Sequence, residues 1–416
     1  MFCAAAQTNP PFPRLGGYLI SGPFNYDNAS YQAQIARLNV AILNYWPGWT
    51  GSNGTTMHQA ATAIKAINPN IVLTLYVDIN ELQNPPNVAW SPILSQLDAN
   101  HWWLYQSGSG GSIVGSSWGS GYYEINTSTF TSTNSSGQNY LAWRATWNVQ
   151  NYLTSNPAID GIYTDNVFWS PRVNGDWNRD GSSDSSSNAT VQSWYRQGYV
   201  SYINKQKSLA PGKYQLGNIG DWGNANAVIS EYQGVLEGGV MEGIIGDSWS
   251  YETQGWQTMM TAYRKMMAAT AAPQLVIFSQ DGNPGDYQSF RYGFASCLMD
   301  NAYYYFSTNE NYHGVNWFDE FDASLGQPTS QPPTSAWQNG VYRRDFQNGI
   351  ALVNPKGNGP QTVSLETSYK HISGTQAPAV NNGQTVTTVT LNDRDGVILL
   401  RTTAQSVPDA PTLTVQ

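Results

Sequence analysis

Eight short runs of β-branched, aromatic and other apolar residues recur along this chain, at 17–21, 40–45, 71–77, 161–165, 215–219, 239–243, 275–279 and 302–306, and most are followed by a stretch with helical periodicity. No other feature restricts the fold as much. A parallel strand reaches its neighbour only through a crossover of roughly a dozen residues or more, which a helix ordinarily supplies. Strand alternating with helix eight times over predicts an α/β fold, the (β/α)8 TIM barrel. In "TTMHQAATAIKAINPN", Met57, Ala60, Ile64 and Ile67 share one helical face, Thr55 or Thr56 can cap the start, and Asn68-Pro69 ends it. Leu141, Ala145, Val149 and Leu153 repeat at intervals of four, again a helical stripe.

The barrel is expected over 17–325, after an N-terminal segment 1–16. Its rhythm breaks once, between the third and fourth strands, where Gly/Ser clusters and aromatic runs such as "HWWLYQSGSGGSIVGSSWGSGYYEINTS" predict an inserted hairpin and loop around 81–137. Long structured loops in a compact domain are usually functional. Residues 326–337, "GQPTSQPPTSAW", read as a Pro-rich linker. From 338 to 402, short alternating runs divided by Gly, Asn and Pro predict a small antiparallel β-sandwich without helices, and 403–416 a tail.

In such a barrel the active site is built where the strands end, so a polar residue closing a strand pattern is a catalytic candidate. That rule selects Asp78, Asp165, Asp221, Glu242 and Asp281. For Asp78, Asp221 and Asp281 a helix N-cap or an Asx turn explains the residue equally well. Asp165 and Glu242 close the fourth and sixth strands, two apart around the ring, among residues that exclude water. Two carboxyls facing one cavity suit glycosidic bond cleavage, in which one protonates the leaving oxygen and the other attacks the anomeric carbon or activates water. Asp165 reads as the nucleophile or base and Glu242 as the general acid, with the reverse assignment open. Glu237 competes with Glu242 but precedes the strand. Trp46, Trp49, Trp169, Trp222 and Trp249 follow strands on the same side and suit the apolar faces of sugar rings, though aromatic residues also fill loops and cores. Trp102, Trp103, Trp118, Tyr122 and Tyr123 in the insertion extend the candidate platform.

The stretch "DWNRDGSSD", 176–184, places oxygen-bearing Asp176, Asn178, Asp180, Ser182 and Asp184 at alternate positions with Gly181 at the turn, the spacing of a calcium loop. The twelfth position carries Ser187 in place of the usual Glu, so a full EF-hand is not supported. A structural calcium or sodium ion is the expectation, with no cofactor required for the chemistry itself.

Other classes fare poorly. Four scattered histidines give no zinc motif, and no G-x-S-x-G elbow or phosphate-cradling loop is present. A net charge of −9 with no basic run argues against nucleic acid, and no apolar stretch approaches the roughly 20 residues of a membrane span. Charged residues make up 11% of the chain against roughly 25% in an average soluble protein. Together with 16 Trp and abundant Asn, Ser, Thr and Gly, that low share points to an exported, extracellular or periplasmic protein handling neutral carbohydrate, and a monomer is the expectation. The start "MFCAAAQ" lacks the pattern of a signal peptide. Cys3 and Cys297 make no disulfide framework, and Cys297 reads as a buried inert thiol.

With these residues in view, "VAILNYWPGW" (40–49), "DGIYTDNVFW" (160–169) with the downstream "DWNRDG", "GGVMEG" (238–243), "WFDEFDASLGQP" (317–328), "NGIALVNP" (348–355) and "DGVILLR" (395–401) resemble the bacterial group known as hypothetical glycosyl hydrolase family 15. The resemblance spans about 17–402. It implies a barrel with a C-terminal β domain that cleaves or transfers glycosidic bonds. Barrels with catalytic acids after strands four and six are also similar to α-galactosidase-like and polygalactosaminidase-like enzymes, which implies those substrates as alternatives.

Overall fold

A computed structural model describes residues 9–224, 230–309 and 311–402; Cys3 and the tail lie outside the described residues. Three strands open the chain, β1 (Gly16–Leu19), β2 (Val40–Leu43) and β3 (Val72–Val77), before a hairpin of β4 (Glu81–Gln83) and β5 (Tyr122–Glu124). Five further strands follow, β6 (Gly161–Thr164), β7 (Tyr214–Asn218), β8 (Gly238–Ile245), β9 (Leu275–Asp281) and β10 (Tyr303–Ser307). The order β1-β2-β3-β6-β7-β8-β9-β10 forms one eight-stranded parallel sheet. A parallel bridge between Leu15 and Tyr304, with Tyr304 N–H donating to the Arg14 carbonyl at 2.9 Å, brings the last strand back to the first. The result is a nearly closed TIM-like barrel. Every residue of β1, β2 and β6 is buried, because helices cover one face of each strand and the barrel interior the other.

The helices are α1 (Ala29–Ile35), α2 (Met57–Ile67), α3 (Ser91–Asn100), α4 (Tyr140–Asn148), α5 (Ala189–Leu209), α6 (Trp256–Ala269) and α7 (Tyr287–Leu298). Thr56 starts α2 with a reciprocal capping box to Gln59. The four-residue repeat from Leu141 to Leu153 begins in α4 and ends in a π-helical segment, Val149–Thr154. A strict repeat of four drifts off an α-helical face of 3.6 residues per turn; the wider turn returns Val149 and Leu153 to the core. The expected alternation is two helices short: after β7 and β10 only 3-10 turns stand among the described residues. After β7 the connection is given instead to the loop carrying Asp221, Trp222 and Asn224.

The C-terminal unit is antiparallel, with β11 (Tyr342–Phe346), β12 (Gly349–Asn354), β13 (Gln361–His371), β14 (Thr385–Leu391) and β15 (Asp395–Arg401) in the order β11-β12-β15-β13-β14. The two layers of the expected sandwich come from one sheet that folds over on itself. Pairing of β13 with β14 slips between Ser364 and Tyr369, and β13 meets β15 only from Tyr369 onwards. Its first half bends across towards β11, where Arg343 holds Glu366. A separate apolar cluster, with Ile350, Leu352, Val363, Val389 and Leu399, lies inside this fold. The opposite face, carrying Ala351, Val353 and Ile398, belongs to the core of the barrel itself. The linker is tied down as well: Thr329 N–H donates to the Asp345 carbonyl at 2.9 Å, and Phe12 and Gly326 pair in an antiparallel bridge.

Candidate active site

Asp165 follows β6 directly, and Asn166 behind it takes a left-handed backbone (φ 54°), a conformation Asn tolerates better than most residues. This turn brings the Asn166 N–H to Asp165 Oδ1 at 2.8 Å. Tyr76, near the end of β3, donates its hydroxyl to Asp165 Oδ2 at 2.6 Å. Burial, with Asp165 adjoining, pushes the Tyr76 hydroxyl well up, so it remains a donor. Asn218, the last residue of β7, completes the set by donating Nδ2–H to Asp165 Oδ1 at 3.0 Å. Three donors thus converge on one carboxyl and fix its orientation.

Glu242 stands inside β8, not at its end as the sequence suggests. The strand runs on to Ile245, and its pairing with β9 breaks between Met241 and Ile245. Such a bulge re-aims side chains as a strand end would. Gly243 has φ 67°, and the Trp249 ring packs so closely over it that no Cβ fits. Glu242 Oε1 accepts from the Tyr312 hydroxyl at 2.9 Å and Oε2 from the same Asn218 Nδ2 at 2.8 Å. One amide nitrogen therefore serves both carboxylates. With its two N–H bonds near 120° apart, the two accepting oxygens lie about 5 Å from each other.

A cavity of about 650 Å³ is lined by Asn218 and Glu242, with Asp221, Trp118, Arg172 and Trp249 among others, while Asp165 reaches its edge only through its bond to Asn218. Trp118 and Trp249 are 52% and 58% exposed, the presentation a sugar-stacking surface requires. The Arg172 guanidinium lies between the rings of Trp118 and Phe168, at 4.0 and 4.2 Å from their centroids. Asp221 accepts the Trp169 backbone N–H at 3.1 Å, and burial holds its carboxyl well above the usual range.

The other candidates divide. Asp78 follows β3 and accepts the Asn80 N–H at 3.0 Å; burial, then Glu81, raise its carboxyl well above normal. Trp49 and Trp222, 7% and 2% exposed, are packed inside. Trp49 sets its ring edge-on to Tyr26, and Trp222 stacks on Tyr232 while donating to the Val167 carbonyl at 2.6 Å. Trp46 is half-buried against the core and Trp169 half-buried beside Asp221. Asp281 closes β9 opposite Ser307, outside the residues lining the cavity. Glu237 is paired with Lys207 at the far end of β8. In the 176–184 loop, Asp176 is buried, with Oδ2 accepting the N–H groups of Gly108 and Gly181 at 2.7 and 3.0 Å. Asn178 Oδ1 accepts the Asp180 N–H, Asp180 Oδ1 the Ser182 N–H, and Asp184 Oδ2 the Trp177 N–H. No group of three His, Cys, Asp or Glu among the described residues is arranged to hold a metal.

Sequence reasoning missed Asn218, Tyr76, Tyr312, Glu81 and Glu124. Asn218 satisfies the strand-end rule, but its amide carries no charge to set it apart in the sequence. Glu81 and Glu124 face each other across the β4–β5 hairpin. Glu81 accepts from Ser116, and Glu124 Oε2 from Asn80 Nδ2 at 3.2 Å. Burial pushes the Glu124 carboxyl up to about 7 from 4.5. A carboxyl raised in the folded state contributes stability that is complete below its unfolded pKa and lost as pH rises through about 7. Wild type should therefore lose on the order of 3 kcal/mol relative to Glu124→Gln between about pH 4 and pH 8, measured by urea unfolding of both proteins. A constant difference across that range would contradict the assignment.

No curated protein matches this chain. Among solved structures, it is similar to the glycoside hydrolase domain of PelA from Pseudomonas aeruginosa (12% identity, 74% of this chain and 98% of that one, TM-score 0.43). A GH36 α-galactosidase, AgaA, from Geobacillus stearothermophilus is similar at 11% identity, over 95% of this chain and 56% of that one, TM-score 0.46. An uncharacterised Listeria monocytogenes protein solved with glucose, magnesium and calcium is similar at 10% identity, over 95% and 42%, TM-score 0.49. None of these likenesses bears on the chemistry. The family comparison is more direct: residues 65–350, most of the barrel together with the linker and the first strand of the C-terminal sheet, match one family, and the chain belongs to hypothetical glycosyl hydrolase family 15.

Proposed function

We propose that this protein cleaves glycosidic bonds of a poly- or oligosaccharide with Asp165 as nucleophile and Glu242 as general acid and base. The observation that carries the reading is the shared Asn218 donor, which supports a carboxyl separation of about 5 Å, the spacing of retaining glycosidases. Asp165 attacks the anomeric carbon as Glu242 gives its proton to the leaving oxygen; Glu242 then takes a proton from water, which displaces Asp165 and restores the enzyme. The three donors hold Asp165 in one orientation, as a nucleophile requires, and the position of Glu242 on the cavity wall suits proton delivery to a leaving group. A sugar acceptor in place of water would make the same residues a transglycosylase. Reducing-end release from a broad glycan panel tests the reading, and glycan binding without turnover would favour a non-catalytic carbohydrate-binding barrel. The low share of charged residues supports action outside the cytoplasm, and the protein acts as a monomer in this reading.

A structural calcium in the 176–184 loop is a second element of this reading. The observation favouring it is Asp176 Oδ1, buried and without a hydrogen-bond partner beside a loop whose oxygens alternate as calcium ligands do. Calcium at a hundredfold excess over its Kd should stabilise the fold by about 2.7 kcal/mol, and Asp180→Ala should remove the effect. An unfolding midpoint that ignores both millimolar calcium and chelator would refute it.

A further inference from the structure

We propose that Asn218 is a positioning residue that sets both the distance and the shared ionisation of Asp165 and Glu242, a role that rests on the glycosidase reading above. Asn218 is buried and lies on β7, the strand between those that carry or precede the two carboxyls. Its orientation is fixed from behind: Oδ1 accepts the Gly220 N–H at 3.0 Å, so Nδ2 faces the carboxylates. A flipped amide would aim an oxygen at two acceptors and leave the Gly220 N–H facing an NH2 group. Both amide hydrogens are committed, one to Asp165 Oδ1 and one to Glu242 Oε2.

Two consequences follow from that commitment. The amide is planar, so its two hydrogens hold both accepting oxygens near one plane at a set separation, and the reacting groups keep their spacing without relying on their own longer side chains. The second concerns charge. Two carboxylates about 5 Å apart disfavour each other's ionisation, and a donor to each opposes that repulsion. During a double displacement the negative charge passes from Asp165 to Glu242, and Asn218 is the group that touches the charged partner at both stages.

The first test needs no substrate. Carboxyl 13C NMR titration of the full chain, with the two resonances assigned from Asp165→Asn and Glu242→Gln spectra, should show both midpoints raised by about one unit or more in Asn218→Ala. If that variant fails to fold, Asn218→Asp preserves the shape and should raise them too, because a third carboxyl then faces the pair. Midpoints unchanged in a folded variant overturn the proposal. On a glycoside that the wild type cleaves, the acid limb should move upwards and kcat should fall about 100-fold, with KM within about threefold. A purely structural role would lower stability and leave the pH profile in place. Cleavage by wild type with an unaltered profile in the variants refutes the role of Asn218 alone. Shifted midpoints in a protein that cleaves no glycan uphold the coupling and refute the glycosidase reading instead.

Discussion

Asp165→Asn should lower kcat/KM by about 10³-fold or more, equivalent to roughly 4 kcal/mol of transition-state stabilisation. The amide keeps the size of the side chain and removes the oxygen that the proposed mechanism directs at the anomeric carbon, so the loss should fall on kcat. Glu242→Gln should behave differently. A glycoside with a poor leaving group needs the proton and should be cut as slowly as by the Asp165 variant, whereas an activated aryl glycoside, whose leaving group departs unaided, should still form the glycosyl-enzyme. Michaelis kinetics on both substrate types, with folding checked by circular dichroism, separate nucleophile from acid. Equal losses in both variants on both substrates would contradict the division of roles, and full activity in either would place the chemistry elsewhere.

The second large effect concerns stability. Arg291 on α7 and Asp395 at the start of β15 form an ion pair at 2.9 Å, each side chain 7% exposed, and Arg291 Nε also donates to the Gly396 carbonyl at 3.1 Å. Burial raises the Asp395 carboxyl even with Arg291 beside it, so the net gain from the pair is small. Removing one partner is another matter, because the remaining charge is left dry and alone. Arg291→Ala should destabilise the protein by about 3–5 kcal/mol, read from the urea midpoint. Arg37→Ala should cost about 1 kcal/mol or less, since its pair with Asp322 is open to water. A loss for Arg291→Ala no larger than that of Arg37→Ala would refute the argument.

All eight barrel strands were legible within a residue or two at most ends, because parallel strands buried on both faces leave unbroken apolar runs. The bulge inside β8 was not, since it carries no composition of its own. The rule about strand ends singles out Asp165 and Glu242, and the structure brings both within hydrogen-bond reach of Asn218 because the strand order around the ring is fixed. Asn218 follows the same rule and was invisible only because an amide has no charge to mark it. Glu81 and Glu124 could not have been paired by eye, as the register of a hairpin with so long a loop is set by tertiary packing. The indoles show the limit most plainly. Trp222 and Trp249 each follow a barrel strand, yet the first is buried under Tyr232 and the second is 58% exposed.

The sheet that folds over on itself also bears on how the gene could be cut and joined. Its outward layer has an apolar interior of its own, which gives the impression of a portable module attached through a proline-rich hinge. Its inward layer shares a single core with the barrel, through Ala351, Val353 and Ile398 on one side and α7 on the other, with Arg291 and Asp395 between them. A recombination point at the linker would therefore strip the cover from a barrel helix and strand a buried guanidinium at the same stroke. The seam that is obvious in the sequence is a boundary between topologies, and inheritance across it is all or nothing.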